Sequence, residues 1–276
     1  MTEDVRQDVG TTCYRHPDRE TGLSCSNCGR PICAECMTAT PVGQRCPECV
    51  GHQQVRRPRT MSRTTPYVTY VLIGINVAMF LWVVSRGGGD VMGLTNRDLF
   101  DAGGLEKSAV ADGEWWRLVS AMFLHASILH IVFNMWGLWI LGPILENRYG
   151  PLRFIGLYVV SGLCGSAGAL LMTDPGQVTV GASGAIFGLM AALFVVERRH
   201  NLPIASGIGV VLVLNLVITF SIPGISIGGH IGGLVGGALC GLLYETTARR
   251  GGGVLAVAGT AGLLLAALAA TIVAVG

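Results

Sequence analysis

The sequence predicts an all-α polytopic membrane protein preceded by a small cytoplasmic module stapled by metal. Three observations carry this reading. Of 276 residues, 51% are hydrophobic and 13% charged, whereas a soluble globular chain carries about 25% charge. The apolar residues gather in seven stretches near the roughly 20 residues a helix needs to cross a bilayer. Seven of the nine cysteines fall between Cys13 and Cys49, while Cys164 and Cys240 stand alone in apolar runs. The net charge of +2, from 19 basic and 17 acidic residues, excludes an acidic disordered chain and a strongly basic binder of nucleic acid, so no nucleic-acid partner is expected.

The cysteine-rich module occupies residues 1–54. It contains no apolar stretch long enough for a signal peptide or a span, so it is expected to stay in the reducing cytoplasm. Its ligands come in four pairs, Cys13-x2-His16, Cys25-x2-Cys28, Cys33-x2-Cys36 and Cys46-x2-Cys49. The two-residue gap lets both members of a pair reach one metal, and eight ligands make two tetrahedral zinc sites. An odd cysteine count and a reducing compartment argue against disulfides. Four protein ligands leave no open position for water, so both Zn2+ ions are expected to be structural, and their binding to fold a piece too small to build a core. Sequential pairing stays open on spacing alone, and His52 is a further candidate ligand. The order of pairs resembles the B-box type of zinc finger. That resemblance implies that Cys13, His16, Cys33 and Cys36 hold one ion, and Cys25, Cys28, Cys46 and Cys49 the other. Such a module binds or regulates, so a cytoplasmic protein partner is expected for it.

A basic linker follows over residues 55–66, with Arg56, Arg57, Pro58, Arg59 and Arg63. The seven spans are read at 67–85, 122–145, 152–172, 181–197, 203–221, 226–244 and 254–275, the first six forming a core over 67–247 and the last lying in 248–276. With the linker in the cytoplasm, Arg148 and Arg153, Arg198 and Arg199, and Arg249 and Arg250 all fall on the same side, as the positive-inside rule requires. The C-terminus then lies outside, and a bacterial plasma membrane is the expected location. The long outer loop, 86–121, mixes Leu99, Phe100, Leu105, Trp115 and Trp116 with Asp98, Asp101, Glu106, Lys107 and Asp112. It is expected at the outer interface, with the two tryptophans at headgroup level.

Polar residues inside spans are costly and mark packing or function. His125, His130, Asn134, Ser183, Asn215 and His230 are such residues, and the orientation places His125, His130, Ser183 and His230 near the outer end of their helices. Asn76 and Asn215 are read as interhelical hydrogen-bonders. Ser183 opens the run Gly181-Ala182-Ser183-Gly184-Ala185-Ile186-Phe187-Gly188, and His230 lies in Gly228-Gly229-His230-Ile231-Gly232-Gly233. Small residues let the two helices press together. A serine needs a base to attack an amide, and a neutral histidine within hydrogen-bond reach is the usual one. With no acidic residue at that depth, the expected unit is a Ser-His dyad. His130 and Asn134, four apart, share a helix face as candidate oxyanion donors, and the Ser183 backbone N–H at a helix start is a third.

Taken together, Gly181-x-Ser183-Gly184, Gly229-His230-x-Gly232-Gly233, His125-x4-His130-x3-Asn134, Trp116-Arg117 and Glu146-Asn147-Arg148 resemble the rhomboid intramembrane serine proteases over roughly residues 66–247. The resemblance implies a six-helix core around a cavity that opens outward, with a seventh helix appended here. It also implies Ser183 as nucleophile, His230 as general base, and His130, Asn134 and the Ser183 amide as oxyanion stabilisers, with no cofactor for catalysis. Phe187 stands where the family often has a tyrosine stacked on the histidine, and Glu146 resembles a structural position that pairs with backbone or with Arg148. The activity implied is a serine endopeptidase cutting in or next to transmembrane segments of other membrane proteins within the lipid bilayer. The rival is a catalytically silent binder of membrane proteins, a pseudoprotease recruiting partners through its zinc module. Such proteins usually lose the serine or the histidine, and both are present. A transporter is disfavoured, since there is no inverted repeat and no acidic residue in mid-span.

Overall fold

The computed structural model describes residues 11–51, 65–87, 102–174, 176–201, 207–248 and 252–276. The chain divides into two compact units, Met1–Ser62 and Arg63–Gly276. The linker arginines, His52, Arg249, Arg250 and the 98–101 part of the outer loop lie outside the described residues.

In the first unit, two short antiparallel hairpins pair β1 (Thr11–Cys13) with β2 (His16–Thr21) and β3 (Thr38–Thr40) with β4 (Gly43–Arg45), and a single turn of helix, α1 (Pro47–Gly51), closes it. The register slips between Thr12 and Cys13, which sets Cys13 opposite His16. The Tyr14 hydroxyl donates to the Glu48 carboxylate and ties the first hairpin to α1.

The second unit is helical. Among the described residues, five helices are long and apolar enough to cross a membrane: α2 (Tyr67–Gly87), α5 (Ile128–Tyr149), α6 (Pro151–Met172), α9 (Ile227–Ala248) and α10 (Gly253–Val275). Between α2 and α5 stand the short α3 (Lys107–Ala111) and α4 (Arg117–Ser120). Between α6 and α9 stand α7 (Ser183–Arg199) and α8 (Ile208–Ser221), with 17 and 14 residues. At 1.5 Å per residue α8 is about 21 Å long, less than the ~30 Å hydrocarbon core.

The second expected span starts six residues late. Residues 121–123 form a 3-10 turn, Leu124 is extended, and α5 begins at Ile128 because Ser127 caps it, its Oγ accepting from the His130 N–H at 3.2 Å. His125 therefore precedes the helix. The amides of Asn76 and Asn215, read as interhelical hydrogen-bonders, donate to the Leu72 and Val211 carbonyls four residues back in their own helices, each at 2.8 Å.

Two buried acids organise the packing. Glu146 on α5 accepts from the Val68 and Thr69 N–H groups at 3.0 and 2.8 Å and from the Thr69 hydroxyl at 2.7 Å, so it satisfies N–H groups that the start of α2 leaves without intrahelical partners. Of the two partners expected for Glu146, backbone is the one found. Arg148 instead forms a two-point pair with Glu245 on α9, at 2.7 and 2.8 Å. Glu146→Ala strands these donors in a buried setting, and we expect about 2 kcal/mol of lost stability, read as a lower unfolding midpoint of the membrane unit.

Candidate active site and metal centres

The site is assembled by close helix packing. α9 lies against α6 and α7 with glycine at the contacts. A Cβ on Gly233 would collide with the Gly184 carbonyl, one on Gly237 with the Gly188 backbone, and one on Gly232 with the Cys164 carbonyl of α6. Side chains at these positions would hold the helices apart. Without them, His230 on α9 reaches the first turn of α7.

Ser183 is the first residue of α7, and its Oγ lies 2.8 Å from His230 Nε2. The Phe187 ring, one turn along, stacks on the imidazole with centroids 4.0 Å apart and planes 18° from parallel, so phenylalanine supplies the expected stack without a hydroxyl. The other ring nitrogen, Nδ1, lies 2.7 Å from Thr219 Oγ1 on α8, and the same hydroxyl donates to the Asn215 carbonyl at 2.7 Å. His230 and Thr219 are both buried. Thr219 escaped the sequence reading. The available signal was a hydroxyl near the C-terminal end of a short apolar helix.

His130 faces the segment before Ser183. Gly181 adopts a φ of +127°, open to glycine, and a Cβ there would stand 2.6 Å from His130 Nε2. His130 Nδ1 accepts a long contact from the Ala126 N–H at 3.4 Å. That leaves Nε2 as the protonated nitrogen, a donor turned toward the Gly181–Ser183 backbone. Asn134 is buried one turn below, one amide hydrogen donating to the His130 carbonyl at 2.8 Å. The Ser183 N–H belongs to the first turn of α7, whose amides have no intrahelical acceptor. His125 is buried beside His130, ring centroids 5.0 Å apart, and packs under the Ala182 amide at 3.5 Å.

The stretch between α2 and α5 clamps this segment. Leu105 and Thr179 exchange backbone hydrogen bonds at 2.9 and 2.8 Å, and the Gly181 N–H donates to the Ala121 carbonyl at 2.8 Å. Glu106 caps α3, accepting from Ser108 and Ala109; the Ser108 hydroxyl first, then these backbone N–H groups, outweigh partial burial and hold its carboxyl below the usual range. Arg117 is buried against Glu114, at 2.5 Å, and the Gly104 carbonyl, while Trp115 and Trp116 are exposed.

In the N-terminal unit the ligand atoms form two groups, Cys13, His16, Cys33 and Cys36, and Cys25, Cys28, Cys46 and Cys49, each with its members within 4.8 Å of one another. Pairs one and three are together, as are pairs two and four. His16 presents Nδ1, at 3.9 Å from Cys13 Sγ and 3.4 Å from both Cys33 and Cys36 Sγ, and Cys28 and Cys46 are 3.7 Å apart. Tetrahedral zinc with Zn–S near 2.3 Å sets sulfur atoms about 3.8 Å apart, with N···S edges slightly shorter, so the donor sets fit the ion. Burial opposes ionisation of Cys13 and Cys25. Backbone N–H donors outweigh it, from Arg15, Cys33 and His16 at Cys13 and from Cys46, Cys28 and Asn27 at Cys25, and bring both thiols down to about 6. The shift favours the thiolate, the metal-binding form.

Residues 112–247 match the rhomboid domain family. Rhomboid protease GluP of Bacillus subtilis (strain 168) is 36% identical over 171 residues, covering 60% of this chain and 32% of that protein. RHOMBOID-like protein 5 of Arabidopsis thaliana is 47% identical over 92 residues, 33% of this chain and 30% of that one. RHOMBOID-like protein 6, mitochondrial, from the same plant is 41% identical over 103 residues, 37% and 33% of the two chains. This chain spans about a third of the length of each of these relatives. With the rhomboid-domain match and several membrane-length apolar helices among the described residues, it is a multi-pass membrane protein.

Proposed function

We propose that this rhomboid-domain protein is an intramembrane serine endopeptidase that hydrolyses peptide bonds in or next to transmembrane segments of other membrane proteins. The observation that carries the reading is the 2.8 Å contact between Ser183 Oγ and His230 Nε2. His230 takes the Ser183 proton as Oγ attacks the scissile carbonyl. The oxyanion formed is stabilised by the His130 Nε2–H, the Asn134 amide and the Ser183 N–H. His230 then protonates the leaving amine, giving an acyl-enzyme. Water, deprotonated by the same imidazole, attacks that ester, and the proton returns to Ser183. The substrate helix must unwind to present its amides, so helix-weak sequences with a small residue at the cut are favoured.

The proposed topology has seven spans in a bacterial plasma membrane, with the N-terminus cytoplasmic and the C-terminus outside, α7 and α8 being the two short spans. The proposed division is a module over 1–54, a linker over 55–66, a protease core over 67–247 and a seventh helix in 248–276. The module is read as a B-box-like structure with two structural zinc ions that docks a cytoplasmic partner. Zinc, when bound, supplies cross-links to the fold and has no part in the cleavage.

The test is co-expression in membranes with single-span reporters whose segments carry small, helix-weakening residues. Cleavage by the intact protein supports the reading. Failure across diverse reporters, with no labelling of Ser183 by a serine-directed probe, would replace it with the silent-binder reading.

A further inference from the structure

We propose that Thr219 is a positioning residue that sets the tautomer of His230, an inference that rests on the serine-protease reading above. A hydroxyl has one proton to give. Thr219 Oγ1 sits 2.7 Å from two atoms, the Asn215 carbonyl oxygen and His230 Nδ1. The carbonyl only accepts, so satisfying both contacts sends the threonine proton to Asn215 and leaves Oγ1 to accept from Nδ1–H. The proton of the neutral imidazole is then on Nδ1. Nε2 is bare and faces the Ser183 hydroxyl at 2.8 Å, the polarity that proton removal from Ser183 requires. The opposite tautomer would turn Nε2–H toward Ser183 and leave two acceptors, Nδ1 and the Asn215 carbonyl, competing for the one threonine proton.

A threonine bonded to the carbonyl four residues back is ordinary in an apolar helix and would mean nothing alone. The second contact is what distinguishes Thr219. It is also one of only three buried residues on α8, the other two, Ile208 and Gly209, lying at the opposite end of the helix. Phe187 fixes the plane of the imidazole by stacking, and Thr219 fixes its rotation within that plane. In soluble triads a carboxylate does this work. A neutral hydroxyl does it without burying a charge among apolar helices, where an ionised group is costly. The base is thus built from three helices: Ser183 from α7, Thr219 from α8 and His230 from α9.

The experiment uses the full chain in bicelles at neutral pH, with 15N-labelled histidine and the His230 signals assigned by their loss in His230→Ala. The wild type is expected to show a protonated Nδ1. Thr219→Val, which keeps the shape and removes the hydroxyl, should give mixed tautomers, an about tenfold lower kcat on a cleaved reporter with KM unchanged, and labelling of Ser183 by a fluorophosphonate slowed to the same degree. Thr219→Ser should restore all three. A wild-type His230 protonated on Nε2 overturns the proposal without any variant, as does a Thr219→Val protein that labels at the wild-type rate. If the wild type neither cuts nor labels, the protease reading fails, and the 15N spectra still decide whether Thr219 sets the tautomer.

Discussion

Ser183→Ala is expected to remove cleavage of a transmembrane reporter by roughly four orders of magnitude or more while leaving the fold intact. The substitution deletes the one oxygen that bonds to His230 Nε2 and touches none of the glycine contacts that hold α9 on α7. His230→Ala should cost nearly as much, and the double variant little more than either, because nucleophile and base act as one unit and their losses do not add. An additive double variant would mean that the two residues act separately. The residual rate should depend on the remaining donors at His130 and Asn134, since polarisation of a bound carbonyl survives loss of the nucleophile.

The second large effect lies in the N-terminal unit. Metal analysis of the intact protein should return two zinc ions per chain, Cys25→Ser should lose one of them, and chelation should make residues 11–51 as protease-sensitive as an unfolded peptide. The reason is the composition of the core. Its buried members among the described residues are Ile32 and five cysteines, Cys13, Cys25, Cys33, Cys36 and Cys46, with Tyr14, Met37 and Cys49 partly buried against them. Burying one isoleucine stabilises by about 2–3 kcal/mol. A structural zinc site is worth on the order of 10 kcal/mol, so zinc, when bound, would contribute more to this unit than apolar burial does. A chelated module that stays folded would contradict the assignment, as would a third or absent ion.

Much of the site was legible because it is written in local spacing. The two-residue gaps predict that both members of a ligand pair share one ion, though which pairs combine was implied only by the B-box resemblance, and the glycines around Ser183 and His230 predict a close crossing of two helices. Phe187 could be read as a stacking ring only through the resemblance to the rhomboid proteases, in which a tyrosine often holds that position. What escaped depends on contacts between distant segments. Thr219 is one hydroxyl in an apolar helix, and its meaning arises only when α8 brings it to Nδ1 of a residue eleven positions later. The partner of Arg148 is Glu245, 97 residues away, while Glu146, two residues from Arg148, turns to the start of α2. The late start of α5 was readable in principle: Ser127 ahead of an apolar run is a cap signal. Continuous hydropathy across 122–127 masked it. Asn76 and Asn215 show a further limit, since an amide N–H in an apolar helix can donate to its own backbone as well as to a neighbour.

The most direct measurement is the site and rate of covalent labelling of the membrane-embedded protein by a fluorophosphonate, mapped by mass spectrometry. Adduct is expected on Ser183 and on no other serine, formed in the wild type and suppressed by His230→Ala. Labelling elsewhere, or Ser183 labelled equally fast without His230, would contradict the central claim that these two side chains form one nucleophilic unit.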